Sequence, residues 1–534
     1  MSAALRISLT AMLLAALPAG FVLAQGQVPQ PQHRAAAKVK YDSRQSLGKG
    51  VTLAKMNNGL TVIVQENHAA PVATVRSYVK NTGSVYEGQW LGAGLSHLAE
   101  HLISGGTTTK RKEPEIRAII DSMGGRTNAY TSNNITAYYI DCPSSRTPEA
   151  IELIADSMQH VTFEQEEYLR EMGVVQRELE MGEADRSRVG YQAMKELIFT
   201  EHPMRHPIIG HLSVLKDITR DDIINFYKSR YIPQNMIFVV TGDVNTDEVL
   251  DDVLKNFQGF HRPADTDPVL PDEPEQASPR SVRVEMPGET TQLAVAWPTV
   301  ALQHPDLYPL DVASYLLTTG DSSFQIEVEC KPENVEKCKR IILEEIGRLK
   351  REPVNEKELA KVKRQKSAEH VFGQQTVQNQ AESLGRSYLS TNDPLFDEQY
   401  VKGIQRVTPE QIQAVARRYF RPERENTVYI VPQGSPQTDT GEGALAAAES
   451  DVIRKVLPNG LTLLVKRHAV QPLVTMQVFV NAGIISDTPQ TSGRSALATS
   501  VMDKGTEKYT AEQIAEYFDS IGGEMPVSRH RNYS

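Results

Sequence analysis

The run Asn58-Gly-Leu-Thr-Val-Ile-Val, followed by Pro71, returns as Asn459-Gly-Leu-Thr-Leu-Leu-Val followed by Pro472. Asp121-Ser-Met-Gly-Gly likewise returns as Asp519-Ser-Ile-Gly-Gly. A chain that restarts its own pattern is built from repeated supersecondary units. A second repeat reinforces this. Ile218-Thr-Arg-Asp-Asp-Ile, Tyr231-Ile-Pro233 and Ile237-Phe-Val-Val share their layout with Val407-Thr-Pro-Glu-Gln-Ile, Phe420-Arg-Pro422 and Thr427-Val-Tyr-Ile-Val. Each series reads as a capped helix, a Pro-marked turn and a strand. The restarted copy stops at Ser534, partway through its pattern. A β-rich piece of that size leaves an apolar face open, so the expectation is a truncated chain or one completed by a partner.

Two stretches separate the repeats. His261 to Arg280 carries five prolines among acidic residues, and Gln433 to Ser450 is rich in Gly, Ser, Thr and Ala. Both read as linkers. They bracket residues 45–260 and 281–433, each of domain size. Both segments mix short β-rich runs with long amphipathic helical patterns, which makes the fold class α+β. In the first, residues 60–64 and 135–140 read as strands, and Pro114 to Met123 reads as a helix stopped by Gly124-Gly125. The length of 534 residues exceeds what one core serves, and 40% hydrophobic with 23% charged residues excludes a disordered or collagen-like chain.

Met1 to Ala24 has the form of a secretory signal: Arg6, an apolar run from Ile7 to Leu23, and Val22-Leu23-Ala24 as the cleavage site. Pro18 and Gly20 favour cleavage over an uncleaved anchor, and no other stretch is long and apolar enough to span a bilayer. Residues 25–44 read as a polar leader. A net charge of −10 argues against a dedicated nucleic-acid partner. Three cysteines cannot form a disulfide scaffold. Cys330 and Cys338 could pair in an oxidising compartment, or all three cysteines could be buried free thiols.

His97-Leu-Ala-Glu100-His101 carries the chemistry. Leu95, Leu98, Leu102 and Ile103 fall at helical spacing around it. Histidines four apart share a helical face and can converge on one metal ion. Glu100 points to the same side, where it can take a proton from a metal-bound water. A catalytic zinc site needs a third protein ligand. Glu178 is the candidate, on the helical run from Tyr168, with Glu171 two turns earlier on the same face. Read alone, those two glutamates are a solvated helix face. His160, His202, His206 and His211 lack ligand spacing and read as loop or solvated residues.

Taken together, these motifs resemble the M16 metallopeptidases (the pitrilysin, insulysin and mitochondrial-processing-peptidase group), which use H-x-x-E-H. In that family a third ligand, Glu, follows the second His after a long gap, which residues 102–177 fill here. The resemblance implies His97, His101 and Glu178 as ligands of one Zn²⁺ and Glu100 as catalytic base. It implies Glu171 as the supporting residue of the catalytic set. Gly124-Gly125-Arg-Thr-Asn128-Ala129-Tyr-Thr-Ser is similar to the family's peptide-binding strand, which implies Asn128 and Ala129 as substrate-binding residues. His202-Pro203, Pro207-Ile-Ile-Gly210 and Val239-Val-Thr-Gly242-Asp243 resemble later landmarks. The implied fold is a clamshell of repeats, each a mainly antiparallel sheet packed with helices. Its catalytic domain would be 45–260 and its C-terminal-type domain 281–433, with a metal-site-less repeat beginning at 451–534.

Two departures stand out. After Tyr315 to Ser323 the sequence jumps to Phe324, where the family has several tens of residues with an Arg and a Tyr that help hold substrate; nothing here matches either. In the restarted copy, Ala496, Thr499 and Ser500 stand at the places of His97, Glu100 and His101. The implied function is a zinc endopeptidase, periplasmic or secreted, acting on peptides or unfolded segments, with no membrane attachment after signal cleavage. The alternative is a non-catalytic subunit or scaffold that partners a catalytic homologue or self-associates. A zinc-storage module, the third reading, would have no use for Glu100.

Overall fold

The computed structural model describes residues 38–263, 269–317, 324–435, 452–459, 461–466, 494–501, 504–506 and 508–514. The expected signal peptide, the sequence jump at Ser323, most of the second linker and the Asp519 motif lie outside the described residues. Among the described residues no helix is long and apolar enough to cross a membrane. The chain divides into a unit ending at Pro436 and a second unit after it.

The first unit holds two mixed sheets. Strands β1 (Tyr41–Gly48), β2 (Val51–Met56), β3 (Thr61–Glu66), β4 (Val72–Lys80), β5 (Arg126–Thr131), β6 (Ile135–Pro143) and β7 (Met236–Gly242) form a seven-stranded sheet. Their order is β1-β2-β3-β7-β4-β6-β5, antiparallel except for the β3–β7 pair. Every residue of β7 is buried, as its unbroken apolar run demands of a central strand covered on both faces. The period-two alternation sorts the side chains. Val62, Val64, Phe238 and Val240 enter a core shared with helices α1 (Leu95–Ile103), α2 (Glu113–Ser122), α3 (Thr147–His160) and α4 (Gln165–Glu183). Ile63, Ile237 and Val239 face the opposite way, onto Ala381, Leu384 and Tyr388 of the helix Val377–Thr391.

The second sheet comprises β8 (Arg280–Met286), β9 (Thr291–Trp297), β10 (Phe324–Cys330) and β11 (Asn426–Pro432), in the order β10-β9-β11-β8. β11 runs parallel to β8 and antiparallel to β9, just as β7 does to β3 and β4. The preceding helices match as well. Thr219 with Asp222, and Thr408 with Gln411, close equivalent capping boxes. β10 pairs with β9 over its whole length, so the segment after the jump still closes this sheet. Helix α5 (Arg186–Ile198) packs Met194 and Ile198 against the second sheet.

The second unit repeats local structure from the first. Strands β12 (Val452–Val456) and β13 (Thr462–Lys466) form an antiparallel hairpin like β2–β3. Its turn carries the same side-chain lock: Leu461 N donates to Asn459 Oδ1 at 3.2 Å, as Leu60 N donates to Asn58 Oδ1 at 3.1 Å. Farther on, Thr510 N bonds Gln513 Oε1 as Lys112 N bonds Glu115 Oε2.

Two sequence expectations meet a different structure, and one open alternative is decided. β1 begins at Tyr41, inside the segment read as a polar leader. The described part of the Pro-rich segment is tied down at Glu273, which accepts from Thr200 N, Thr200 Oγ1, Glu201 N and His202 N. All three cysteines are free thiols; Cys142 is buried, and Cys330 and Cys338 are half-buried.

Candidate metal and catalytic site

α1 buries Leu95, Leu98, Ala99, Leu102 and Ile103 in the core. The helical period then brings His97, Glu100 and His101 to the opposite side, facing α4. α4 carries Glu171 and Glu178 two turns apart on the face toward α1. Glu178 Oε2 lies 3.9 Å from His97 Nε2 and 3.7 Å from His101 Nε2. The two imidazoles meet edge-on, with centroids 4.8 Å apart. One ligand atom from each of the three residues lies within 4.8 Å of the other two. Two imidazole nitrogens and a carboxylate oxygen converge without a hydrogen bond among them. Tetrahedral zinc, with bonds of about 2.0–2.1 Å, places neighbouring ligand atoms about 3.4 Å apart. The donor set fits such an ion with small side-chain adjustments.

The surrounding groups prepare these ligands. His101 Nδ1 lies 3.2 Å from Glu171 Oε2, which turns Nε2 toward Glu178. Burial alone would lower the His101 pKa, but the Glu171 hydrogen bond and the charges of Glu178 and Glu100 lift it above the usual imidazole value. Glu171 falls below the usual carboxylate value, chiefly through the His101 bond. Arg170 Nε donates to Glu171 Oε1 at 3.0 Å, and Arg170 Nη2 to Glu113 Oε2 at 2.8 Å. His97 is pushed down to about 4 by burial and by the neighbouring His101 and Arg188, so it is neutral at pH 7. A neutral imidazole is the form that ligates metal.

Glu100 is buried beside this cluster, and burial raises its pKa. Thr131 Oγ1 donates to Glu100 Oε2 at 2.7 Å. Thr131 ends β5, which forms one edge of the seven-stranded sheet. Asn128 and Ala129, on the same strand, line a cavity of about 450 Å³ together with His97, Glu100, His101 and Glu178. Among the described residues no strand pairs with the outer edge of β5. Tyr130 points to the other face of the sheet, where its hydroxyl donates to Glu382 Oε1 at 2.7 Å. β5 is thus held from both faces.

All seven residues singled out in the sequence surround one cavity. The other histidines are engaged elsewhere: His160 with Asp156, and His202 as acceptor from Met204 N. His206 and His211 stack edge-on against each other. Thr131, Arg170, Glu113 and Glu87 (below) were not singled out. Period-two alternation could have put Thr131 on one face with Ala129; nothing local links it to Glu100.

Comparison with known proteins agrees with this geometry. Residues 61–211 and 462–533 match the model for insulinase (peptidase family M16), and residues 217–325 that for the peptidase M16 inactive domain. A probable mitochondrial-processing peptidase subunit beta of Arabidopsis thaliana is 31% identical over 264 residues, 49% of this chain and 49% of that protein. The zinc protease PqqE of Helicobacter pylori is 26% identical over 374 residues, 64% of this chain and 84% of that protein. The chain spans about half the length of the mitochondrial relatives it matches. A crystal structure of a protease from Helicobacter pylori superposes with a TM-score of 0.66 at 24% identity, covering 71% of this chain and 99% of that one. The periplasmic protease PqqL of Escherichia coli gives a TM-score of 0.62 at 16% identity, covering 79% and 49%. The insulinase model matches a stretch in each copy of the repeat and the inactive-domain model the stretch that follows the first, the solved proteases share the fold, and the chain belongs to peptidase family M16.

Proposed function

We propose that the chain is a zinc-dependent endopeptidase acting on peptides or unfolded polypeptide segments. The observation that carries this reading is the convergence of His97 Nε2, His101 Nε2 and Glu178 Oε2 beside the buried Glu100, under an open strand edge. His97, His101 and Glu178 would hold one zinc ion, with Glu171 fixing the His101 ring. When bound, the ion supplies Lewis acidity toward the scissile carbonyl and lowers the pKa of a water. Glu100 takes the water's proton on its carboxylate and returns it to the leaving amine. Its burial makes it a stronger base than a solvated glutamate, and the Thr131 hydroxyl fixes one carboxylate oxygen while leaving the other for the proton. The free N–H and C=O groups of β5 take an extended peptide as an added strand beside Asn128 and Ala129. The Met1–Ala24 pattern supports export, which suits a periplasmic or secreted peptidase.

A second reading is a non-catalytic M16 subunit that partners a catalytic homologue or a second copy. It draws on Ala496, Thr499 and Ser500, which stand in the restarted copy at the places of His97, Glu100 and His101. One experiment separates the two. A pool of short unstructured peptides is incubated with the zinc-loaded chain and with Glu100→Gln, before and after chelation. The peptidase reading expects cleavage that chelator abolishes, zinc restores, and Glu100→Gln lowers by about 10²–10⁴-fold while still binding zinc. A folded, zinc-loaded chain that cleaves nothing overturns it in favour of the subunit.

A further inference from the structure

Helix α1 lacks a cap of its own. The first amides of any helix need acceptors, usually a Ser, Thr, Asp or Asn side chain at the N-cap. Here the N-cap is Gly94, at φ 75° and ψ 25°, with no side-chain cap bond. A side chain cannot be installed there: a Cβ would stand 2.1 Å from Ile209 O and 3.0 Å from Gly210 N. The close approach of the 207–210 segment therefore removes the usual solution.

Glu87 supplies the missing acceptor from outside the helix. Its carboxylate accepts from Gly94 N at 3.2 Å, from Ser96 N at 2.9 Å and from Ser96 Oγ at 2.5 Å. Glu87 is 4% exposed, and Ser96 is fully buried. Among the described residues no cation pairs with Glu87. Burial pushes its pKa up to about 7 against the pull of these hydrogen bonds. A buried carboxylate without a cation is costly unless its hydrogen bonds are well formed. Its compensation comes from donors that adjoin His97 and have a fixed direction. The core contacts of α1, through Leu95, Leu98, Ala99 and Leu102, are apolar and constrain rotation about the helix axis less, and its two other directional contacts, Glu100 with Thr131 and His101 with Glu171, lie on the metal-facing side itself.

We propose that Glu87 is a positioning residue for the metal site: it fixes the rotation and seating of α1, and hence where His97, Glu100 and His101 meet Glu178. This rests on the reading of His97, His101 and Glu178 as zinc ligands. Outer groups that orient ligands are commonly worth a factor of about 10–100 in metal affinity.

The test uses the full chain, stripped of metal, with zinc affinity measured against a competing chelator and the visible spectrum recorded with Co²⁺. Glu87→Gln keeps the shape but turns one of the two acceptor oxygens into an NH2 donor, so either Gly94 N or Ser96 N faces another donor. Its expected zinc affinity is about 10–100-fold weaker, with an altered cobalt spectrum. Ser96→Ala, which removes only the hydroxyl bond, is expected to weaken zinc by about 3- to 10-fold and carries the test if Glu87→Gln does not fold. Ile151→Ala, a cavity in the neighbouring helix α3, is the control for lost stability. It is expected to lower the melting temperature and leave affinity and spectrum unchanged. Wild-type affinity and spectrum in folded Glu87→Gln and Ser96→Ala overturn the proposal, as does an equal loss of affinity in Ile151→Ala. A wild-type chain that binds neither zinc nor cobalt overturns the metal reading itself, and this inference with it.

Discussion

Glu171 and His101 shift each other in opposite directions, and their pH dependence follows from that. His101 is raised above 6.5, so its contribution to stability is complete below pH 6.5 and is lost as pH rises through its folded pKa. Glu171 is lowered below 4.5, so its contribution is complete above pH 4.5 and is lost as pH falls through its folded pKa. The metal-free chain therefore has the full support of the pair between about pH 4.5 and 6.5. Glu171→Gln is expected to lower the melting temperature most near pH 5.5, with the difference from wild type shrinking toward pH 8. Thermal melts of both apo-proteins across that range check it; a difference independent of pH would contradict the pairing. At this scale the sequence was partly legible. His97, Glu100 and His101 could be read because one helical period places all three on one face. Glu178 and Glu171 could be named as candidates on a helical run, but read alone they were a solvated helix face and only the family resemblance favoured them as site residues, because the α1–α4 contact joins segments far apart in the chain. Glu87 and Thr131 stayed hidden for the same reason: a side chain that serves a distant helix leaves no periodic trace.

Between elements, the close fit of the helix Val377–Thr391 on the seven-stranded sheet depends on Gly385. A Cβ there would lie 2.3 Å from the ring of Tyr78, which is fully buried and whose hydroxyl donates to Glu382. Alanine in an exposed helix position would gain about 1 kcal/mol over glycine. Against a ring that cannot move, overpacking decides the sign, and Gly385→Ala is expected to cost about 1–3 kcal/mol. Equilibrium denaturation measures it, and a stabilised variant would show that the ring yields. Strand β1 shows why one element boundary was misread. Asp42 to Ser46 are polar and almost wholly exposed, so no alternation marks a strand. Backbone pairing with β2 makes it one, and an edge strand needs no buried face of its own. The Pro-rich segment misled in the same way. Its acidic residues resemble a solvated linker, yet Glu273 caps four donors of the 200–202 turn. The repeats, by contrast, were legible because capping boxes and Asx turns are local and recur with their sequence.

Across the first unit, the helix Val377–Thr391 is joined to the seven-stranded sheet at Glu382. This carboxylate accepts from Arg76, Tyr78, Tyr130 and Arg386. Burial would raise its pKa, but Tyr130 and the two arginines hold it below the ordinary value, so it stays charged at neutral pH. Arg76 and Tyr78 belong to β4, and Tyr130 belongs to the strand proposed to seat the peptide. A helix that lies in the chain between β10 and β11 of the second sheet therefore anchors β5 on the face away from the metal site, while Thr131 anchors it to Glu100 on the other. If β5 is the docking edge, loosening its far anchor must weaken substrate binding without disturbing the ligands. Glu382→Gln keeps one acceptor oxygen and removes the charge that Arg76 faces. It is expected to raise KM by roughly 3- to 10-fold with kcat little changed, to leave zinc affinity at the wild-type value, and to cost about 1–3 kcal/mol of stability. Steady-state kinetics on one peptide well below the melting temperature, with zinc affinity measured in parallel, separate the effects. A fall in kcat at constant KM would place the influence of Glu382 on Glu100 through Thr131 and not on the docking edge.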